Sequence, residues 1–509
     1  PSKSFDVITV LLDASETAAP SLQGVQGLVE LVQQAMRLSV ATPQLLLLTG
    51  GVQRVSVQAA PGAVSAVAHA YAWGLARVVR LEQPTWRVVC ADVVAGHEVS
   101  LVAEQVMAEQ GAAGGSGAAT EVAWRGGRRQ VAMLTRNAPV GGASSALPRG
   151  GSYVITGGLG GLGLRAAVLV SSCKPRCIYL SSRSGRIARD GQGLSAQLSS
   201  VQQSGVELAT ISCDVADRDE VRALFNAVPG RGALSVLHAS GLGDKGLLRE
   251  LAIWRYAMQL GPKALAARHI HCATAATQLQ ALVFWSSVAA AFGNVGQGSY
   301  SAANVCLDAL AHSRRLHGVV ATSMQLPLVM GAGMGAAAFD ERQARFRGMA
   351  AISLDEYATC LQAMLSPRLA AVVVTQTVLP SSTAELLDNL PDPTQPCFAD
   401  IAGVVRTPCL TVASDLVGLK GDSPFAREIT LLAPAERSAY VEGVVMQVVR
   451  EVADAGDISA STPLMEAGVD SLAATELSSR LRTASGTTLS PTLVFEQPTP
   501  RAIAAHILE

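Results

Sequence analysis

The chain has 509 residues, of which 49% are hydrophobic and 16% charged, with a formal net charge of -1. That much apolar side chain excludes a mostly disordered chain, and the length suggests about three packed units. The balanced charge excludes a basic footprint for nucleic acid. Apolar runs such as Leu45 to Leu48 and Val372 to Val374 are too short for a membrane span of about 20 residues, so no membrane partner is expected. The nine cysteines are scattered, and Cys173 and Cys177 have no second pair or nearby His to complete a zinc site. No metal and a reducing, cytoplasmic setting are the resulting expectations. The sequence starts at Pro1 without a basic-then-apolar leader, as expected of a piece of a longer polypeptide.

Composition shifts divide the chain into 1–146, 147–380, a proline-punctuated linker over 381–430, and 431–509. In the first unit, strand-like Val7 to Leu12 and Leu45 to Leu48 precede longer amphipathic stretches, a pattern that predicts a parallel sheet with covering helices. Leu45 to Leu48 runs into Thr49-Gly50-Gly51, but Val52, Gln53 and Arg54 follow where a nucleotide loop needs more glycine. This unit therefore reads as a truncated Rossmann-like partner without cofactor. Gly111 to Gly117 reads as a loop, and Glu121 to Trp124 with Gln130 to Leu134 as a hairpin around Gly126 and Gly127.

The second unit opens with the strand Tyr153 to Ile155, then Thr156, Gly157, Gly158, Leu159, Gly160, Gly161, Leu162 and Gly163, then a helical run from Leu164 to Ser171. Glycine suits this place because the backbone must turn sharply and approach a pyrophosphate, which faces the helix N-terminus. The next strand, Cys177 to Leu180, ends near Ser182 and Arg183, where a dinucleotide fold reads the ribose 2′ position. An arginine there favours NADPH over NADH, the lesser alternative being an ordinary surface arginine. A third strand, Leu208 to Cys213, ends at Asp214 and Val215, placed to meet the adenine edge. The fold class is thus α/β, two Rossmann-like subdomains of which the second binds NADPH.

Further on, Phe284-Trp285-Ser286-Ser287 is followed by Gly293 to Asn304, containing Ser299-Tyr300-Ser301. A serine at a strand end and a tyrosine opening the next helix can share one carbonyl oxygen, with Tyr300 donating the proton as hydride reaches the carbon. A free phenol has a pKa near 10, so proton loss needs a nearby ammonium. The position four residues after Tyr300, where dehydrogenases commonly carry that lysine, is Asn304.

The last unit is a small helical bundle by its periodicity, and it carries net charge -5 against +4 for the rest of the chain. Opposite charges favour weak docking between the two. In Gly468-Val469-Asp470-Ser471-Leu472, Ser471 opens an amphipathic run. Such a serine suits a phosphodiester, and equally a plain helix cap.

Taken together, Thr156 to Gly163, Ser287, Tyr300 and Asn304 resemble the ketoreductase domains of modular polyketide synthases, of the short-chain dehydrogenase superfamily, over most of residues 1–380. The resemblance implies that Lys263, within Gly261-Pro262-Lys263-Ala264, supplies the ammonium, that Ser287 orients the ketone and that Asn304 supports Lys263 and the proton path. It implies that the first unit braces the second and leaves His238, in His238-Ala239-Ser240-Gly241, without a role. Pro463 to Glu466 and Leu493 to Pro500 likewise resemble the acyl carrier proteins of those synthases, implying 4′-phosphopantetheine on Ser471. The implied reaction is NADPH-dependent reduction of a carrier-bound β-ketoacyl thioester. The implied partners are ketosynthase and acyltransferase domains and a phosphopantetheinyl transferase. An inactive scaffold, or a free-standing dehydrogenase with a helical appendage, are the competing readings. The family's Leu-Asp-Asp marker of D-hydroxyl products is Gly243-Asp244-Lys245 here, and its tryptophan marker of L-hydroxyl products is Phe292. With Asp244 kept and the tryptophan lost, the D-hydroxyl product is expected.

Overall fold

The computed structural model describes residues 7–12, 20–37, 44–53, 66–93, 104, 106, 119–136, 150–188, 191–229, 232–333, 351–366, 373–378, 386–387, 394–405, 425, 429, 432–453, 458–467, 469, 471–485, 489 and 493–508. The expected loop Gly111 to Gly117, Arg54, Gly468 and Asp470 lie outside these residues.

The first subdomain is a five-stranded sheet in the order β1 (Val7–Leu12), β2 (Gln44–Gly50), β3 (Arg87–Val93), β4 (Glu121–Arg125), β5 (Arg128–Gln130). Its first four strands are parallel. The unbroken Leu45 to Leu48 run is buried on both faces, as a central parallel strand requires. β4 and β5 form the expected hairpin, which turns on Gly126 (φ 55) and Gly127 (φ 72). Two consecutive positive φ values make the turn that matches strand twist. The second arm stops at Gln130, short of Leu134, because Leu134 N–H donates instead to the Cys397 carbonyl.

The second subdomain is a seven-stranded parallel sheet. Its strands are β6 (Ser152–Thr156), β7 (Cys177–Ser182), β8 (Glu207–Ser212), β9 (Leu234–His238), β10 (Leu279–Ser287), β11 (Thr322–Leu326) and β12 (Thr375–Thr377). They lie in the order β12-β11-β10-β9-β6-β7-β8, so the order reverses between β6 and β9. In open α/β sheets the crevice beyond such a switch point receives the ligand. The α/β expectation with two Rossmann-like subdomains holds.

One apolar core crosses the two subdomains. Leu45, Trp73, Leu75 and Val79 pack with Leu248, Tyr256, Leu260, Ala302 and Cys306. The helix Tyr71–Glu82 lies against the helix Gly298–Leu316 at Gly74, where a Cβ would stand 2.6 Å from the Ser301 carbonyl oxygen. Only glycine lets these backbones meet so closely.

The C-terminal unit is helical, with helices Pro434–Ala453, Ser471–Ser485, Leu493–Glu496 and Pro500–Leu508. Val441, Val445 and Val449, at helical spacing, meet Leu464, Leu477, Leu481 and Ile503 in its core.

The expected linker 381–430 is not uniform. Leu386, Leu387, Phe398 and Ile401 form a cluster with Leu134 and Phe292 of the two subdomains, and Phe425 and Ile429 join the helical core. Proline-rich composition suggested a linker, yet Pro396 opens a 3-10 turn, Pro396–Phe398, that buries Phe398. Among the described residues no helix is long and apolar enough to cross a membrane, and no group of His, Cys, Asp and Glu is gathered to hold a metal ion.

Candidate active site and carrier serine

The glycine loop leaves β6 at the sheet's switch point. Thr156, the last residue of β6, faces Ser181 on β7 and His238 on β9. Gly157 takes φ 68 with its α-carbon against Ser240, whose backbone nitrogen would lie 2.7 Å from an added Cβ. A Cβ on Gly163 would lie 2.4 Å from the Gly157 carbonyl oxygen, so this glycine lets helix and strand close together. Leu159 is buried in the core beside β6, whereas a Cβ on Gly160 would meet only Gly157 O, at 3.2 Å. Gly158 and Gly161 are equally tight, against Ile155 O and Gly333 N, and Leu162 packs on the same core. The helix Gly161–Ser171 has Gly160 as its cap residue and no side chain on its first N–H groups. An anion is what such an end accommodates. These residues fit a dinucleotide: a close-packed backbone loop at a helix N-terminus that no side chain caps.

At the end of β7, Ser182 Oγ donates to Arg186 O (3.0 Å), and the Arg183 side chain is exposed. Asp214 Oδ1 accepts from Ala216 N–H (3.0 Å), and Val215 is buried beside it. Both stand at the C-terminal edge of β8, as expected.

The four expected catalytic residues converge. Ser287 ends β10 and caps the short helix Val288–Phe292, its Oγ accepting from Ala289 N–H at 3.2 Å. Tyr300 lies in the first turn of Gly298–Leu316, with the Lys263 Nζ 5.7 Å from its ring centre. Burial raises the phenol above its ordinary value, while the nearby Ser287 and Asn304 side chains pull it the other way. Lys263 sits in a π-helical turn, Gly261–Leu265, only 3% exposed, where burial lowers its ammonium to about 8 against the opposing charge of Asp308. Its Nζ donates to Trp285 O at 2.6 Å. Asn304 does not bond Lys263: its Nδ2 donates to Tyr300 O (2.9 Å), and its buried Oδ1 has no hydrogen-bond partner among the described residues. Asn304 thus has no direct hydrogen bond to Lys263, whose ammonium is held by Trp285 O on β10.

One contributor had no role legible in the sequence. His238, fully buried, shares a hydrogen bond of 2.7 Å with Thr156 Oγ1 and approaches Lys263 O at 3.3 Å. Burial and the neighbouring ammonium hold it neutral, down to about 3. It ties the glycine loop to the lysine turn. Asp244 is fixed as well: its Oδ1 accepts from Arg255 Nε (2.9 Å) and its Oδ2 from Ser299 Oγ (2.6 Å), the neighbour of Tyr300.

In the first subdomain the corresponding loop is filled from within. The Asp92 carboxylate accepts from Thr49 Oγ1 (2.6 Å), Val52 N–H (2.8 Å) and Gln53 N–H (2.9 Å), and pairs with Arg125. The backbone donors that would greet a phosphate already hold an anion.

Ser471 is the first residue of the helix Ser471–Ser485. The preceding loop is set by Val469 N–H on Leu464 O (3.0 Å) and Leu464 N–H on Pro498 O (2.9 Å).

Residues 151–331 match the KR domain family, and residues 443–507 match the phosphopantetheine attachment site family. Polyketide synthase GfsB of Streptomyces halstedii is 37% identical over 374 residues, which are 71% of this chain and 6% of that protein. Polyketide synthase GfsA of the same organism is 33% identical over all of this chain, which spans 7% of its length. A solved structure described as A-type ketoreductases from a modular polyketide synthase superposes with TM-score 0.65 at 27% identity, covering 75% of this chain and 79% of that one. With both domain families matched in one chain and one of these synthases similar over all of it, the chain belongs to the polyketide synthases as a fragment, a ketoreductase domain followed by a carrier domain.

Proposed function

We propose that this chain reduces the β-ketone of an acyl thioester, carried on phosphopantetheine attached to its own Ser471, to a β-hydroxyacyl thioester with NADPH as the reductant. The convergence of Tyr300, Ser287, Lys263 and Asn304 beside the glycine-loop crevice carries the proposal. Thr156 to Gly163 would hold the pyrophosphate, Asp214 and Val215 would border the adenine, and Ser182 and Arg183 would read the 2′-phosphate. A nicotinamide bound there supplies the hydride.

The protein's own groups handle the ketone oxygen. Ser287 Oγ, while accepting from Ala289 N–H, keeps its own proton to donate to that oxygen. Tyr300 gives its proton to the same oxygen as general acid. The Lys263 ammonium stabilises the phenolate that remains, at a distance where a buried charge is weakly screened. Asn304 Oδ1, unpartnered and buried, offers an acceptor for the water that would return the proton.

Partners would be the ketosynthase and acyltransferase domains that build the β-ketoacyl chain and a phosphopantetheinyl transferase that modifies Ser471. The D-hydroxyl product is the proposed stereochemical outcome. The test is intact mass spectrometry of the chain loaded with a β-ketoacyl phosphopantetheine. Addition of NADPH should add the mass of two hydrogens, and Tyr300→Phe should abolish that gain while still binding NADPH. Ser471→Ala should remain unloaded yet reduce a diffusible β-ketoacyl thioester. Reduction by Tyr300→Phe at the wild-type rate would refute the assignment. Chiral chromatography of the product settles its configuration.

A further inference from the structure

The cofactor-free subdomain reaches into the catalytic one with a single carboxylate. Glu82 ends the helix Tyr71–Glu82 and is 2% exposed. Its Oε2 accepts from Leu248 N–H at 2.7 Å and its Oε1 from Gly296 N–H at 2.9 Å. The two donors belong to separate segments. Leu248 follows Gly243-Asp244-Lys245, and Gly296 lies four residues before Tyr300. The segments also touch directly, through Gly246 N–H on Gly296 O (2.9 Å) and Ser299 Oγ on Asp244 (2.6 Å). From the helix Leu22–Arg37, Gln33 Nε2 holds the carbonyls of Leu248 (2.8 Å) and Leu251 (2.9 Å), so the first subdomain grips this segment by amide and carbonyl alike.

The placement of Glu82 is costly. A carboxylate at a helix C-terminus opposes the dipole, and burial without a described cation partner raises its pKa to about 7. An apolar residue would avoid that cost but leave the Leu248 and Gly296 amides without their acceptor. When ionised, a carboxylate offers what no other side chain of its size does: two acceptor oxygens and no donor, so that each can take one N–H from a different segment.

We propose that Glu82 is a positioning residue for ketone reduction: by bridging the Leu248 and Gly296 amides it fixes how the 243–248 and 293–299 segments stand against each other, and so the face that the ketone presents beside Tyr300. The inference rests on the reductase reading above.

The test is Glu82→Gln in the full chain. Gln keeps the shape but has one acceptor oxygen, and its NH2 would confront one of the two amides. With a diffusible β-ketoacyl thioester, KM should rise about tenfold with a smaller change in kcat, as expected for one lost charge-assisted hydrogen bond. The ratio of D- to L-hydroxyl product should shift while the Kd for NADPH stays unchanged. Hydrogen exchange should accelerate at residues 244–248 and 293–297 and not elsewhere. Wild-type KM, product ratio and exchange in Glu82→Gln overturn the proposal. So does uniform loss of protection across the chain with an unchanged product ratio, because that marks a merely structural residue. If Glu82→Gln does not fold, Glu82→Asp, which keeps the charge but withdraws it by one methylene, is read in the same way: loosening confined to the two segments supports the bridge, and wild-type behaviour overturns it. Should the wild type reduce no ketone, the reductase reading fails by itself, and the exchange pattern still decides the role of Glu82.

Discussion

Lys263 couples protonation to chemistry in a testable way. Its ammonium is lowered to about 8 by burial, with Asp308 opposing, Tyr300 facing it at 5.7 Å and His238 neutral behind it. Tyr300 itself is raised, so it keeps its proton through that range. kcat/KM should therefore fall as pH rises through about 8, as the ammonium is lost. Stability should move the other way. The unfolded lysine binds its proton up to a higher pH than the folded one, so the unfolded state holds more protons between about 8 and 10.5, and folding gains as pH rises through that window. A pH profile flat to 9.5, or stability falling over that window, would contradict the reading. At Arg183 the expectation is selective: Arg183→Ala should weaken NADPH by about ten- to a hundredfold, the scale of a lost charged hydrogen bond, and leave NADH nearly unchanged. Isothermal titration with both cofactors checks it, and equal losses would show a plain surface arginine.

Helix packing sets the next scale, and Gly74 gives opposite signs for two rules. A glycine inside a helix costs about 1 kcal/mol relative to alanine, so propensity alone predicts that Gly74→Ala stabilises. The added Cβ would stand 2.6 Å from a backbone carbonyl on the Gly298–Leu316 helix, and backbone cannot swing aside. Overpacking at about 1–3 kcal/mol should win. Denaturant titration should show Gly74→Ala destabilised, with reduced ketone reduction because Ser301 adjoins Tyr300. Elements whose meaning is local were legible in the sequence: the Gly126-Gly127 turn, the Thr156 to Gly163 loop and the alternation of strand and helix each follow from a few neighbouring residues. Glu82 and His238 were not, since their partners lie 166 and 82 residues away in Leu248 and Thr156. A lone acid closing an apolar helix carries no sign of which amides it will meet. The same reason made 381–430 read as a linker, because Phe398 finds its neighbour in Phe292 of the catalytic segment.

Across the whole molecule, the segment that leaves the reductase is part of it. The Phe398 and Phe292 rings lie 6.2 Å apart, and Leu134 meets Cys397 through the backbone. A cleft of about 120 Å³ at this junction is bordered by Arg77, Glu121, Phe292 and Phe398. Phe398→Ala should destabilise the reductase by about 3 kcal/mol, as for other buried aromatic truncations, and raise KM by loosening the short helix after Ser287. Thermal unfolding at wild-type temperature would instead mark the segment as a tether alone. The Asp92 carboxylate seated in the Thr49 to Gln53 loop has a thermodynamic consequence. It is a ligand at fixed, intramolecular concentration, so the Thr49 to Gln53 loop needs no dinucleotide of its own, and any stabilisation the first subdomain takes from a cofactor reaches it only through the core it shares with the second. With NADPH bound as proposed, the second subdomain would follow the mass-action law for a diffusing ligand, gaining RT ln(1 + [L]/Kd). Depletion of the proposed reductant would withdraw that gain and leave the Asp92 contacts intact, so that through the common core the second subdomain would keep a template against which to stay ordered.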